Sequence, residues 1–154
     1  MDVIEIIRAN ETDLDTILEI QYNAFREEAE AFNDYSIEPL AQTRDDLLRE
    51  FTYRVILKAV QNGQIIGSVR VHLDGDVTYV GKLIVQPGYQ NKGLGKRLLN
   101  AAENLFPHSR CELNVAKRMN KNITLYTRCG FIPFKEVEDE FGRSFIFMEK
   151  YSPI

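Results

Sequence analysis

Between the apolar run Leu83-Ile84-Val85 and a helical pattern that opens at Leu94, the chain carries Gln90-Asn91-Lys92-Gly93-Leu94-Gly95-Lys96. Strand, tight loop and helix follow one another here, and Gly93 and Gly95 leave the first-turn N–H groups open. Those groups are orphan donors at the positive end of a helix dipole, so an anion can be held by the backbone itself. A diphosphate-bearing cofactor is the natural guest. Lys92, Lys96 and Arg97 add positive charge beside it.

Other phosphate loops fit less well. A P-loop needs Gly-Lys-Ser/Thr, whereas Gly95-Lys96-Arg97 lacks the hydroxyl that would meet magnesium. A dinucleotide fingerprint needs a third small residue, and that place holds Leu98. It also belongs in a chain-opening βαβ unit, while this loop follows several strands.

With Val85-x-Pro87 before it and Leu98-Leu99 after it, Gln90-x-x-Gly93-x-Gly95 resembles the acyl-CoA loop of the GNAT superfamily of N-acetyltransferases. Leu125-Tyr126-Thr127-Arg128-Cys129-Gly130-Phe131 resembles the Leu-Tyr-x-x-x-Gly-Phe that ends the fourth helix of that superfamily. The resemblance implies acetyl-CoA as cofactor, its diphosphate held by Gln90, Asn91, Lys92, Gly93, Leu94, Gly95 and Lys96. It implies that the pantetheine arm pairs like an extra strand between two splayed strands, Lys82–Val85 and Glu112–Val115. Leu83, Ile84 and Val85 are then its backbone partners, with Asn114 across the gap, and an N–H near Leu83 faces the thioester carbonyl. Many members carry an asparagine seven residues before the tyrosine. Met119 stands there, and Asn120, one residue on, is expected to take over its contact.

In many members the tyrosine protonates the departing thiolate, which makes Tyr126 the expected catalytic residue. A phenol of pKa about 10 can share its proton with a thiol that titrates at roughly 8–9. From the residues alone, Tyr126 also reads as a helix tyrosine packed on the sheet. Some members place a glutamate where Tyr79 stands, but no carboxylate occurs between Val77 and Val85. The base is therefore a relayed water or a group from elsewhere: His72, Asp34, Glu136 or Glu138. His108, in a Pro-His-Ser turn, reads as inert.

The superfamily binds its acceptor between the first two helices and the last hairpin. Those regions hold Glu27, Glu28, Glu30, Asp34, Glu38, Glu136, Glu138, Asp139 and Glu140, with Phe32, Tyr35, Phe134 and Phe141 among them. Such a cleft suits a cationic amine through charge and cation–π contact, and such acids are also the ordinary surface of an acidic protein. A small-molecule or peptide amine is expected: a polyamine, an amino sugar, a lysine or an N-terminal amine.

Around these residues, 154 positions make one domain, 1–154, with 44% hydrophobic and 27% charged residues. A net charge of −4 argues against sequence-independent nucleic-acid binding. No apolar run reaches a membrane span and Met1-Asp2-Val3-Ile4-Glu5 is no signal segment, so no membrane partner and a cytoplasmic address are expected. A homodimer is allowed. Cys111 and Cys129 have no metal-ligand spacing and read as reduced core thiols.

The order of elements is expected to be β, α, α, β, β, β, α, β, α, β, β: a mixed, mostly antiparallel twisted sheet of six to seven strands flanked by four helices, which is the GNAT order. Val3–Arg8 is a first strand. A helix begins at Thr12 with Asp15 in a capping-box-like place, and a second runs from about Thr43 to Phe51. Asn62-Gly63 and Asp74-Gly75 signal hairpins among Arg54–Val60, Gln64–Leu73 and Val77–Val85. Leu94, Leu98, Ala101, Ala102 and Leu105 share a helical face, Cys111–Ala116 is a strand, and Asn120–Cys129 is a helix capped by Gly130. Phe131–Val137 and Arg143–Glu149 close the chain as a hairpin. The leading reading is an acetyl-CoA-dependent N-acetyltransferase using direct attack in a ternary complex. The alternative is a non-catalytic CoA-binding sensor or partner module of the same fold.

Overall fold

The computed structural model describes residues 3–152. Seven strands form one sheet: β1 (Ile4–Arg8), β2 (Val55–Gln61), β3 (Gln64–Asp74), β4 (Val77–Val85), β5 (Arg110–Ala116), β6 (Ile132–Glu138) and β7 (Ser144–Tyr151). Their spatial order is β1-β2-β3-β4-β5-β7-β6, and every neighbouring pair is antiparallel except β4 with β5. The helices are α1 (Leu14–Phe32), α2 (Glu38–Ala41), α3 (Arg44–Phe51), α4 (Leu94–Glu103) and α5 (Asn120–Arg128).

Local chemistry explains most boundaries. Asn62 and Gly63 both take positive φ, 52° and 76°, as a two-residue hairpin turn between right-twisted strands requires. Thr43 accepts from the Asp46 amide while the Asp46 carboxylate accepts from the Thr43 amide, so a capping box opens α3. Gly130, at φ 95°, ends the α5 segment in the left-handed region. Apolar periodicity then sets the layers. Leu94, Leu98, Leu99 and Ala102 of α4 pack on Val69, Val71 and Val80 on one face of the sheet. Leu14, Ile17, Leu18 and Ile20 of α1 join Leu47 of α3, Ile56 and Ile84 on the other. Gly67 lets α4 close in, because a methyl there would lie 2.9 Å from the Ile84 carbonyl oxygen and 3.0 Å from Leu98 Cδ1.

Three boundaries depart from the sequence reading. The first capping box uses Asn10 and Asp13, on a 3-10 turn at Glu11–Asp13, so α1 proper starts at Leu14 rather than Thr12. Pro39 does not simply break the chain; it sits in the first turn of the short extra helix α2, where a missing N–H costs nothing. Asp74 pairs with Val77, which shifts the second turn to Gly75-Asp76. No helix of the described residues is long and apolar enough to cross a membrane.

Two irregularities open the middle of the sheet. The parallel pairing of β4 with β5 stops after Tyr79 opposite Glu112, so residues 80–85 and 113–116 diverge without pairing. On the other edge of β4, Ser68 faces Ile84 while Arg70 faces Gly81, leaving Lys82 and Leu83 opposite a single residue of β3. This bulge puts Lys82 at φ 45°, a strained conformation for a side-chain-bearing residue, and bends β4 away from β5.

Candidate active site

The loop from Gln86 to Gly93 reaches α4 through left-handed residues at Gly88, Asn91 and Gly93, with φ of 98°, 63° and 80°. Among the described residues, no amide from Gln90 to Lys96 has an intramolecular acceptor. The first that does is Arg97, 3.1 Å from the Gly93 carbonyl oxygen. Consecutive orphan amides at a helix start are a fitting cradle for a diphosphate. Gln90 points its amide nitrogen back to the Val85 carbonyl at 3.3 Å, which braces the loop on β4. The two glycines differ in their reason for being there. Nothing lies within 4 Å of a methyl placed on Gly93, so its need is conformational. A methyl on Gly95 would stand 3.3 Å from Leu125 Cδ2, so that glycine also lets α5 approach α4. Lys92 lies over the Tyr89 ring, whereas Arg97 donates to the Ile4 carbonyl at 3.0 Å and is committed to β1.

Beyond the loop, the gap between β4 and β5 leaves the β5-facing ladder groups of residues 80–85 without a strand partner. Ile84 turns its side chain into the α1 core, and Leu83 and Val85 pack toward α4. Asn114 lies on the far side of the gap, with its side chain exposed to the cleft. Asn120 is exposed at the first position of α5.

A cleft of about 830 Å3 opens beside the gap, walled by α1, α2, α3, β3, β4, β5 and the start of β7. Glu28 of α1 lines it and is 9% exposed. Burial raises its carboxyl to about 7, with Arg143 pulling the other way. Tyr126 of α5 is buried edge-on against Phe131. Burial, and then the nearby charge of Glu28, push its phenol well above the ordinary range, so it stays protonated. Sequence reading counted Glu28 among nine acids around the acceptor, with ordinary surface as the alternative, and did not single it out as the base. Its helical spacing was the available signal, because Leu14, Gln21 and Glu28 fall seven apart on the stripe that α1 buries.

The other sequence candidates separate. His72 lines the cleft, Nδ1 3.4 Å from the Tyr53 carbonyl oxygen and its ring edge-on to Tyr53. Asp34 accepts from the Ser36 amide and hydroxyl, which hold its carboxyl below the usual range, and pairs with Arg143 at 3.4 Å. Glu136 pairs with Lys117 at 2.9 Å on the exposed strand β6, and Glu138 is exposed at its end. Of the nine acids expected around the acceptor, only Glu28, Glu38 and Asp139 line the cleft, and its aromatic walls come from Phe25, Tyr53, Tyr79 and Phe145 instead. Burial pushes the Cys111 thiol up to about 12 and also raises Cys129, so neither is a ready nucleophile.

The sequence profile described as the "Acetyltransferase (GNAT) family" matches residues 14–131. A spermidine N(1)-acetyltransferase of Thermoplasma acidophilum is 26% identical over 96% of this chain and 98% of its own. Among solved structures, the PaiA N-acetyltransferase of Thermoplasma acidophilum in complex with coenzyme A superposes with a TM-score of 0.81 at 22% identity, covering 97% of this chain and 99% of that one. The ribosomal-protein-S18-alanine N-acetyltransferase of Escherichia coli does so at 0.76 and 19%, covering 97% and 94%. With a profile match over most of its length, a split β4–β5 pair and an amide cradle, the chain belongs to the GNAT acetyltransferase family and is an acetyl-CoA-dependent N-acetyltransferase.

Proposed function

We propose that this enzyme acetylates a primary amine by direct attack within a ternary complex, Glu28 taking the amine proton and Tyr126 supplying the thiolate proton. The observation that carries the assignment is a pair of buried groups near enough to feel each other's charge, Glu28 lining the cleft and Tyr126 on α5. One is a carboxylate whose burial raises it to about 7, the other a phenol held protonated. Environments that push two titratable groups in this way mark them as base and acid.

Acetyl-CoA, when bound, supplies an acyl thioester that a neutral amine can attack. Amides from Gln90 to Lys96 receive its diphosphate, and the β4 backbone at Leu83, Ile84 and Val85 pairs with its arm. Asn114 and Asn120 serve as side-chain contacts to that arm. Glu28 draws the ammonium end of the acceptor into the cleft and accepts its proton, leaving the nitrogen lone pair free. An amide near Leu83 donates to the oxygen as it gains negative charge. Tyr126 gives its proton to sulfur as the carbon–sulfur bond breaks. The raised thiols of Cys111 and Cys129 favour this route over an acyl-enzyme.

The catalytic domain is read as residues 1–154, working in the cytoplasm, with a homodimer left open. The name of the 26%-identical relative makes spermidine the first acceptor to try. Incubating the enzyme with acetyl-CoA and an amine panel tests the proposal. Thiol release matched by an acetylated amine in mass spectrometry is expected. CoA-dependent thermal stabilisation without turnover on any amine would instead favour a binding module.

A further inference from the structure

The acids of the cleft are almost all spoken for. Glu38 holds Lys82 at 2.8 Å, Asp139 holds Arg143 at 2.9 Å, Glu112 holds Arg110 at 2.8 Å, and Asp46 pairs with Arg49. Among the described residues, Glu28 is the one lining carboxylate without an ion pair. One ammonium therefore finds a free acid here, and a second ammonium further along does not.

The end of the cleft at β3 and α3 has the opposite surplus. Glu50 is shared by Arg70 at 3.5 Å, Arg54 at 3.6 Å and Lys82 at 3.8 Å, so three cations face the two carboxylates of Glu38 and Glu50. Arg70 is 1% exposed and lines the cleft, yet its guanidinium makes a single hydrogen bond, from Nη2 to Gln21 Oε1 at 2.6 Å. Its Nε and Nη1, and the Nε of Arg54, are buried without hydrogen-bond partners. Unmet guanidinium donors at a buried position are costly, and a planar carboxylate is the group that best answers them. Burial also lowers the Arg70 guanidinium from its usual range; Glu50 and Glu38 oppose this, and the adjacent Arg54 charge adds to it. The Arg54 head lies against β4 on the cleft wall, since a methyl built on Gly81 would lie 3.9 Å from its Nη1.

We propose that the acceptor is an amine that also bears a carboxylate, its nitrogen at Glu28 and its carboxylate at the cluster of Arg54 before β2, Arg70 of β3 and Lys82 at the bulge of β4. Amino-acid-like zwitterions are the class this describes. The inference rests on the N-acetyltransferase reading and narrows its substrate. Gln21 and Gln42 complete the arrangement by fixing the cluster, Gln21 donating to Gln42 Oε1 at 3.0 Å and Gln42 to Glu50 Oε2 at 2.7 Å.

Paired acceptors that differ by one carboxylate test it: L-ornithine against putrescine, L-lysine against cadaverine, with spermidine alongside. The acid-bearing partner is expected to have the higher kcat/KM by about 10- to 100-fold, as charge-assisted hydrogen bonds allow. Arg54→Gln is expected to bring that ratio to within about twofold, while CoA affinity by calorimetry stays in the wild-type range. Equal rates for both partners, or a preference for spermidine, overturn the inference while leaving the acetyltransferase reading intact. Should no amine turn over, thermal shifts of the CoA complex with the same pairs decide. Acid-specific stabilisation that Arg54→Gln removes supports the carboxylate subsite, and its absence overturns it.

Discussion

The cofactor loop and the acceptor cleft lie on opposite sides of the β4–β5 gap and use different parts of the chain. The loop offers backbone: unpartnered amides from Gln90 to Lys96, framed by left-handed residues, with no side-chain cap at Gly93. The cleft offers side chains, nearly all engaged with one another; among the described residues Glu28 is its carboxylate without an ion pair, and Arg70 keeps two buried nitrogens without hydrogen-bond partners. Backbone recognition needs only a local conformation, so a short motif suffices. Side-chain recognition here draws on α1, α3, β3 and β4, which only the tertiary fold brings together. The cofactor half can thus stay constant while the acceptor half determines which amine is used.

Breaking the chemistry where the halves meet has the largest expected effect. Tyr126→Phe keeps the ring against Phe131 and removes the proton donor, so kcat is expected to fall on the order of 10²–10⁴-fold. The KM for acetyl-CoA and the melting temperature should hardly move. Because burial raises the phenol, neither protein should show a tyrosine limb below pH 10. A Phe variant within about twofold of wild type would make Tyr126 a packing residue only.

The backbone half is probed by two glycines with similar conformations in different places. Gly93 and Gly63 have φ of 80° and 76°, and a methyl on either meets nothing within 4 Å. Alanine at each carries a similar backbone strain of about 1–2 kcal/mol. Gly93→Ala is expected to weaken CoA binding about tenfold in calorimetry, whereas Gly63→Ala lowers stability and leaves CoA affinity alone. Equal affinities in both variants would remove the loop from cofactor binding.

A smaller effect separates function from stability in the cleft. Glu28 has a folded-state pKa of about 7 against an ordinary 4.5, so the fold binds its proton more tightly than the unfolded chain does. Its contribution to stability is complete below pH 4.5 and is lost as pH rises to about 7, leaving a penalty of at most ~3 kcal/mol at pH 8. Glu28→Gln is expected to raise the melting temperature by several degrees at pH 8 and to change it little at pH 4.5. Loss of stability at pH 8 would mean that Glu28 is held by partners rather than strained. The smallest effect is expected from replacing Cys111 and Cys129 together by serine. Activity should stay within severalfold of wild type, and a trapped acetyl-cysteine in mass spectrometry would contradict direct transfer.

The sequence was most legible where structure is local. Strand alternation, the Asn62-Gly63 turn and the cap at Gly130 placed all seven strands, and the starts of the four longer helices, within a residue or two. Three features were less visible, each for a physical reason. The helix α2 is a single turn begun by Pro39, a residue that marks breaks as often as starts. The bulge at Lys82 depends on pairing with β3, which no local pattern reports. Glu28 and Arg70 are charged residues on buried faces, one on the α1 stripe and one between Ser68 and His72 on β3, where composition suggests solvent. The expectation of an acid-lined cleft counted carboxylates along the chain and missed the cations that neutralise them.

The most direct test of the account is the pH dependence of kcat/KM with a reactive amine for wild type and Glu28→Gln. A base titrating at about 7 should give the wild type a limb that falls below that pH. The Gln variant should lose that limb together with most of its rate, and keep its CoA affinity. A Gln variant with the same limb and a rate near wild type would contradict the account and return the amine proton to water or His72.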